Sequence, residues 1–329
     1  MKKKVTISQV AEQAGVSKTT ISRFLNGQYG NMSKETKERI ASIIEELNYR
    51  PSRQAQALKS KRSYLIGVVV ADISNMYSSL LLKGIGAVLE RNGYQMIIMD
   101  AANSVKQERS LLEKLLDQGV EAIILQASSR NAENYQFIQD YNIPLLLVDR
   151  QTEPVIWPLV TTNNQETVEE ILHQALQKDY QKVLVVSEPL QDVTTREVRY
   201  DTVKNVTEKM GKKQELLEVT SETNLKQLIF AELKNPERTL LFASNGRVLM
   251  ELLTILIENK IDIPQQIGIT GFDDWNLTAL VGPGITSIEQ QSQQIGEVAA
   301  EKLVNFLKNS EELEQEIIVP AKVQWRKSI

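Results

Sequence analysis

From Tyr64 onward, short apolar runs alternate with longer amphipathic stretches, a rhythm that leaves few folds open. Residues 65–70, 96–99, 122–125 and 145–148 are apolar runs that read as buried strands. Residues 79–92, 105–118 and 134–141 between them read as helices. The pattern starts again after about residue 160, with strands expected at 183–186, 216–219, 240–242 and 267–270. Alternating strand and helix build parallel sheets covered by helices on both faces. Residues 63–329, 267 in all, are long for one sheet and comfortable for two lobes enclosing a cleft.

The first 62 residues differ in charge and in pattern. They hold 13 Lys/Arg and 5 Asp/Glu, a net +8, on a chain whose total is −4, so the remainder carries −12. A basic head on an acidic body points to nucleic acid. Thr6-Ile7-Ser8-Gln9 has the capping-box spacing, with Ile7, Val10, Ala11 and Ala14 on one helical face. Gly15 ends that helix, and Ser17 caps the next, whose inner face is Ile21, Phe24 and Leu25. A third helix follows Ser33, with Ile40, Ile43, Ile44 and Leu47 as its apolar stripe. Two short helices around a glycine turn are a helix-turn-helix, which places the start of its second helix in the major groove. Ser17, Lys18, Thr19, Thr20, Ser22 and Arg23 are the polar residues there. Lys18 and Arg23 can donate to guanine O6 and N7, and Thr19 can bond a base or touch a thymine methyl. Thr6, Ser17, Asn26 and Ser33 sit where phosphate contacts are expected.

Val5-Thr6-Ile7, Val10-Ala11, Ala14-Gly15-Val16-Ser17, Thr20-Ile21-Ser22-Arg23 and Leu25-Asn26 together resemble the head of the lactose/galactose-repressor family. Leu47-Asn48-Tyr49-Arg50-Pro51, with Ala55 and Leu58 beyond it, extends the resemblance, which runs through the whole chain. It implies a small all-α helix-turn-helix head at 1–50, a hinge at 51–62, and a periplasmic-binding-protein-like body of two doubly wound α/β lobes at 63–329. Pro51 stops the third helix, and Ser52 can cap a short helix reaching Lys59. A helix that short is marginal alone, so it is expected to order when two copies pair on DNA. Arg53, Ala55 and Leu58 are the hinge residues expected at DNA, Leu58 as the leucine that in the family wedges between minor-groove base pairs.

Ligands of open parallel sheets bind beyond the carboxyl ends of the strands. Asp72-Ile73-Ser74-Asn75, Gln126, Asp149-Arg150, Ser187, Asn245, Asp273-Asp274-Trp275 and Gln290 fall there, together with the loop bearing Arg196 and Arg199. The resemblance implies that Asp149, Arg196 or Arg199, Asn245, Asp273 and Gln290 hold a small effector, with Ser74, Tyr77 and Gln126 beside them. Two departures from the family stand out. Asn75-Met76 replaces the usual Asn-Pro, which is expected to reshape the pocket floor through Met76 and Tyr77. Asn245-Gly246 replaces Asn-Asp, which removes a carboxylate and is expected to leave Arg150, Arg196 and Arg199 less neutralised. Arginine is the usual partner of a carboxylate, so a sugar acid is favoured over a neutral sugar. Residues 271–286 particularly resemble the 2-keto-3-deoxygluconate-type regulators of the family.

The chain has no cysteine, no apolar signal core behind Lys2-Lys3-Lys4 and no apolar run of membrane-spanning length, which together suggest the cytoplasm. A single histidine, His173, reads as structural or surface, and no cofactor or metal is expected. Lys83-Gly84-Ile85-Gly86 begins a nucleotide fingerprint, but Leu89 stands where the third small residue belongs; close helix packing is the better reading. Residues 311–316 read as a solvated loop before the last strand. With no catalytic constellation, the expectation is no enzyme but a homodimeric, effector-controlled regulator of the repressor type, acting on double-stranded operator DNA and away from any membrane. No heptad segment follows Trp325, so a dimer is expected rather than a tetramer. The other class considered is a sugar-binding or sugar-active protein with a fused DNA-binding head. Within the leading class, a body that answers to a phosphoprotein is a further variant.

Overall fold

Helix α1 (Ile7–Gln13) opens on a complete capping box: Thr6 N donates to Gln9 Oε1 at 2.8 Å, and Gln9 N to Thr6 Oγ1 at 3.4 Å. Gly15 follows with φ +61°, the left-handed turn expected there. Helix α2 (Lys18–Leu25) starts at Ser17, and helix α3 (Lys34–Glu46) at Ser33. Val10, Ala11, Ala14, Ile21 and Ile40 are buried together, with Phe24, Leu25, Ile43, Ile44 and Leu47 packed around them. The structure, a computed structural model, describes residues 5–30, 32–50 and 62–329. It divides into two units, Met1–Tyr64 and Leu65–Ile329.

The second unit contains two six-stranded sheets. The first has the order β11 (Glu316–Ile318), β5 (Leu159–Thr161), β4 (Leu145–Val148), β3 (Ala122–Leu125), β1 (Leu65–Val70), β2 (Gln95–Asp100). The second has the order β12 (Lys322–Gln324), β10 (Ser287–Glu289), β9 (Gly268–Phe272), β8 (Thr239–Ala243), β6 (Lys182–Ser187), β7 (Lys213–Glu218). All pairs are parallel except β10 with β12, a departure from the all-parallel expectation. The body helices are α4 (Met76–Arg91), α5 (Val105–Asp117), α6 (Asn164–Ala175), α7 (Thr194–Lys209), α8 (Leu225–Glu232), α9 (Gly246–Glu258) and α10 (Ser292–Asn309). Residues 132–141 form a 3₁₀ helix, and Glu316, expected in a loop, opens β11.

The lobes are not two consecutive halves of the chain. It leaves the first lobe after β5, returns to it after β10 to lay α10 and β11, then crosses again to add β12. Helix α10 packs on α4 at two glycines. A Cβ on Gly84 would lie 2.0 Å from Gln293 O, and one on Gly296 2.2 Å from Leu81 O. The Gly-x-Gly signal is therefore a helix crossing. Within each sheet the strand order reverses beside the first strand laid down, β1 or β6, and a cleft forms at such a switch point.

Candidate functional site

In the head, Ser17, Lys18, Thr19, Arg23 and Asn26 are exposed, while Thr20 and Ser22 are half-buried. Ser17 Oγ accepts from Thr20 N at 3.1 Å and lies 2.9 Å from Thr20 Oγ1, so Thr20 helps lock the start of α2. No acidic residue occupies the first turn of α2, which leaves its positive end free to face an anion. Thr6 and Ser33 are exposed caps of α1 and α3, and Asn26 is the C-cap of α2. Arg53, Ala55 and Leu58, like the rest of the expected hinge helix, lie outside the described residues.

In the body, the carboxyl ends of β1, β3, β4, β6, β8, β9 and β10 converge on one cleft. Asp149 ends β4 and Asp273 ends β9, the corresponding strands of the two lobes. Both adopt left-handed backbone, φ +67° and +72°. That conformation costs a non-glycine residue about 1–3 kcal/mol and clusters at functional sites. Each carboxylate is clasped by a glutamine: Gln126 Nε2 donates to Asp149 Oδ2 at 2.9 Å, and Gln290 Nε2 to Asp273 Oδ1 at 2.7 Å. Burial pushes the Asp273 carboxyl up from its ordinary range, against the pull of Arg199, Gln290 and the Gly246 amide. Burial likewise raises the Tyr77 phenol, helped by Asp149 and Asp273. The Tyr77 hydroxyl is buried and has no hydrogen-bond partner among the described residues.

The two arginines left open by sequence differ in kind. Arg199 is buried; Nε donates to Asn164 Oδ1 (2.8 Å), Nη1 to Ser244 O (2.6 Å) and Nη2 to Gln290 Oε1 (3.1 Å), with its plane over the Phe272 ring. It is a brace. Arg196 donates to Pro189 O at 2.9 Å and pairs with Glu188. Asn245 caps α9 through Val248 N (3.0 Å) and donates to Glu188 Oε2 (2.9 Å), so both ends of its amide are engaged.

Tyr77, Gln126, Asp149, Arg196, Arg199, Asn245, Asp273 and Gln290 all line an inner cavity of about 40 Å³. Ser74 does not: it is exposed and donates to Asp72 Oδ1 at 2.6 Å, outside the cavity wall. Met76 is exposed on the first turn of α4 and reshapes no floor. The cleft is also better neutralised than the sequence suggests. Glu188 at the end of β6 and Arg247 in α9 join it, giving Asp72, Asp149, Glu188 and Asp273 against Arg150, Arg196, Arg199 and Arg247. Arg247 pairs with Asp72 of the other lobe and reaches Glu188, which closes the mouth with charge. Ser74 and Arg247 hydrogen bonds outweigh burial and hold the Asp72 carboxyl below its ordinary range. Glu188 and Arg247 escaped the sequence reading because it stopped at Ser187 after β6 and at Asn245 after β8.

Gly246 has its own reason. A Cβ there would lie 2.2 Å from Trp275 Cη2 and 2.7 Å from Asp273 Cβ, while Gly246 N donates to Asp273 Oδ2 at 2.9 Å. The residue that replaces a carboxylate makes room for an indole.

Among the described residues, no group of three His, Cys, Asp or Glu could hold a metal ion, and no helix is long and apolar enough to cross a membrane. His173 is exposed on α6.

Residues 6–52 match the bacterial regulatory proteins of the lacI family, and residues 63–327 the periplasmic binding proteins and sugar binding domain of the LacI family. The chain is 37% identical to the HTH-type transcriptional regulator KdgR of Bacillus subtilis (strain 168), covering 100% of both chains. It is 32% identical to the HTH-type transcriptional regulator PtxS of Pseudomonas plecoglossicida, covering 94% of this chain and 91% of that one. A solved structure of the lac repressor dimer, bound to operator and the anti-inducer ONPF, aligns with TM-score 0.87 at 20% identity over 99% of each chain, which shows the shared fold. The relatives by sequence are transcriptional regulators rather than enzymes. A helix-turn-helix head joined to a two-lobe binding body, matched over nearly all its length, places this chain in the lacI family of DNA-binding transcriptional regulators.

Proposed function

We propose that the chain is a homodimeric repressor of sugar-acid catabolism. Two α2 helices read a near-palindromic operator through Ser17, Lys18, Thr19, Thr20, Ser22 and Arg23, with Thr6, Asn26 and Ser33 on phosphate. Residues 51–62 are the hinge, through which Arg53, Ala55 and Leu58 reach the minor groove. A small sugar acid of the 2-keto-3-deoxygluconate kind in the body cleft biases the lobe arrangement and so the hinge. The cleft itself carries this reading: two glutamine-clasped aspartates, one from each lobe, face an arginine-rich wall. Aspartates of that kind accept hydrogen bonds from polyol hydroxyls, and arginines donate to a carboxylate. The named relatives KdgR and PtxS support a regulator of this kind.

A thermal-shift screen of the full-length protein tests the effector. A sugar acid at about 100 times its dissociation constant adds about 2.7 kcal/mol, and neutral sugars and phosphosugars at the same concentration should add little. A shift with neutral sugars alone sinks the sugar-acid reading and leaves the regulator intact. Operator DNA must change effector affinity by the same factor that effector changes operator affinity, typically about 5- to 150-fold. Arg23→Ala is expected to relax operator choice by about 1–3 kcal/mol, measured by competition between operator variants; unchanged discrimination would displace α2 from that role.

A further inference from the structure

The proposed sugar-acid effector needs one arginine with an open hydrogen-bonding edge, and the cleft offers three candidates that are not equivalent. All three guanidinium nitrogens of Arg199 are taken by Asn164, Ser244 and Gln290. Arg196 already holds a carboxylate, that of Glu188. Arg150 differs. Its Nη1 donates to Ala127 O at 3.1 Å, but its Nε lies 3.7 Å from Asp149 Oδ2, beyond hydrogen-bonding reach. That Nε is buried, and nothing among the described residues accepts from it. An unpaired buried guanidinium N–H is costly to leave unmade.

Ser128 repeats the pattern beside it. The residue is 7% exposed and its hydroxyl is buried without a hydrogen-bond partner among the described residues. Its backbone is fixed from behind: Ser128 N donates to Glu108 Oε2 at 2.8 Å, and Tyr135 donates to the other oxygen at 2.6 Å. Arg150 and Ser128 both border a second chamber of about 460 Å³, which shares Arg150, Glu188, Arg196 and Arg247 with the inner cavity. The inner cavity holds only a few waters, whereas the outer one falls in the range of small-molecule sites, about 300–1,000 Å³.

We infer that Arg150, with Ser128 beside it, receives the carboxylate of the effector at the outer chamber, while Asp149 and Asp273 take its hydroxyls further in. The inference rests on the sugar-acid reading and assigns the anion to a strand-end residue that the family resemblance does not place at the effector. Arg150 Nε and Ser128 Oγ gain in the complex the partners they lack without it. The Arg196–Glu188 pair stays whole.

Calorimetric titration of the full-length protein with 2-keto-3-deoxygluconate and with gluconate, each beside its neutral amide, tests the assignment. Wild type is expected to prefer acid over amide. Arg150→Gln should abolish that preference, lowering acid affinity by about 10- to 100-fold, the weight of a charge-assisted hydrogen bond. Arg150→Lys should recover part of it, and Ser128→Ala should lower acid affinity by up to about 10-fold. Arg196→Gln should weaken acid and amide by a common factor. Thermal unfolding of each variant separates lost binding from lost folding. If Arg150→Gln does not fold, Arg150→Lys and Ser128→Ala carry the test, and an acid preference undiminished in both overturns the assignment. An acid preference that survives Arg150→Gln, or disappears with Arg196→Gln instead, overturns this inference alone. Wild type that binds neither acid in preference to its amide overturns it together with the sugar-acid reading.

Discussion

Gly246 and Trp275 occupy space that only one of them can widen. A methyl group at Gly246 meets both the indole and the Asp273 Cβ, so Gly246→Ala should cost about 1–3 kcal/mol of stability despite the better helix propensity of alanine. Urea titration measures that cost, and a shifted Trp275 emission would report the displaced ring. Glu108 answers to pH. Burial raises its carboxyl from the ordinary range, in spite of the hydrogen bonds from Tyr135 and Ser128. Below a pH of about 4 both folded and unfolded chains keep the proton, and burial costs nothing through ionisation. As pH rises, the unfolded chain releases its proton first, so stability falls until the folded carboxyl has ionised too. Glu108→Gln lacks this loss. Its stability relative to wild type should therefore improve from pH 4 to pH 7, measured by denaturant midpoints; a flat difference would mean that Glu108 has an ordinary pKa. The sequence revealed Asp149 and Asp273 because each ends an apolar run. Glu108 stayed hidden because an acid inside an amphipathic helix looks like solvated surface until the fold turns it inward. Arg150 was seen but set aside, since only the partners of all three arginines show which one is open.

Among the elements, the α4–α10 crossing depends on two backbones in contact. Gly84→Ala sets a Cβ against the Gln293 carbonyl, which cannot turn aside as a side chain can. The helices must separate, and a loss of about 3 kcal/mol is expected in chemical denaturation. A loss below about 1 kcal/mol would show that the crossing relaxes easily. The eight main strands were readable from three- to six-residue runs. Strands β1, β3, β4, β6, β8 and β9 are buried on both faces, which leaves a continuous apolar mark, while the edge strands β2 and β7 are only partly buried. Strands β5, β10, β11 and β12 have three residues each, too few for any period to register, and β11 and β12 are largely exposed or half-buried. Their places come from pairing across the sheet, which is not written locally.

In the body as a whole, the lobes are tied outside the cavity as well as inside it. Arg130 in the first lobe donates to both oxygens of Glu197 on α7, at 2.8 and 2.7 Å, and also pairs with its own lobe's Glu153 at 2.5 Å. Thr194 Oγ1 accepts from Gln151 N at 3.0 Å on the same side. A partly exposed pair of this kind is worth up to about 1 kcal/mol. Arg130→Ala should hence leave the melting temperature nearly unchanged but release a bound effector up to about 5-fold faster in stopped-flow displacement. An unchanged release rate would mean that this tie does not restrain opening.

The order in which the chain visits the two lobes also sets a timetable for biosynthesis. Helix α10, which covers α4, and β11, which completes the first sheet beside β5, follow strands β6 to β10 of the second lobe in sequence. At about 5–20 residues per second, a ribosome needs on the order of 10 s to make the stretch between β5 and α10. Throughout that interval the nascent first lobe carries a bare helix face and an open sheet edge, surfaces on which chaperones act and on which a stalled or truncated chain would aggregate. The lobe that begins first cannot close until most of the second has been made.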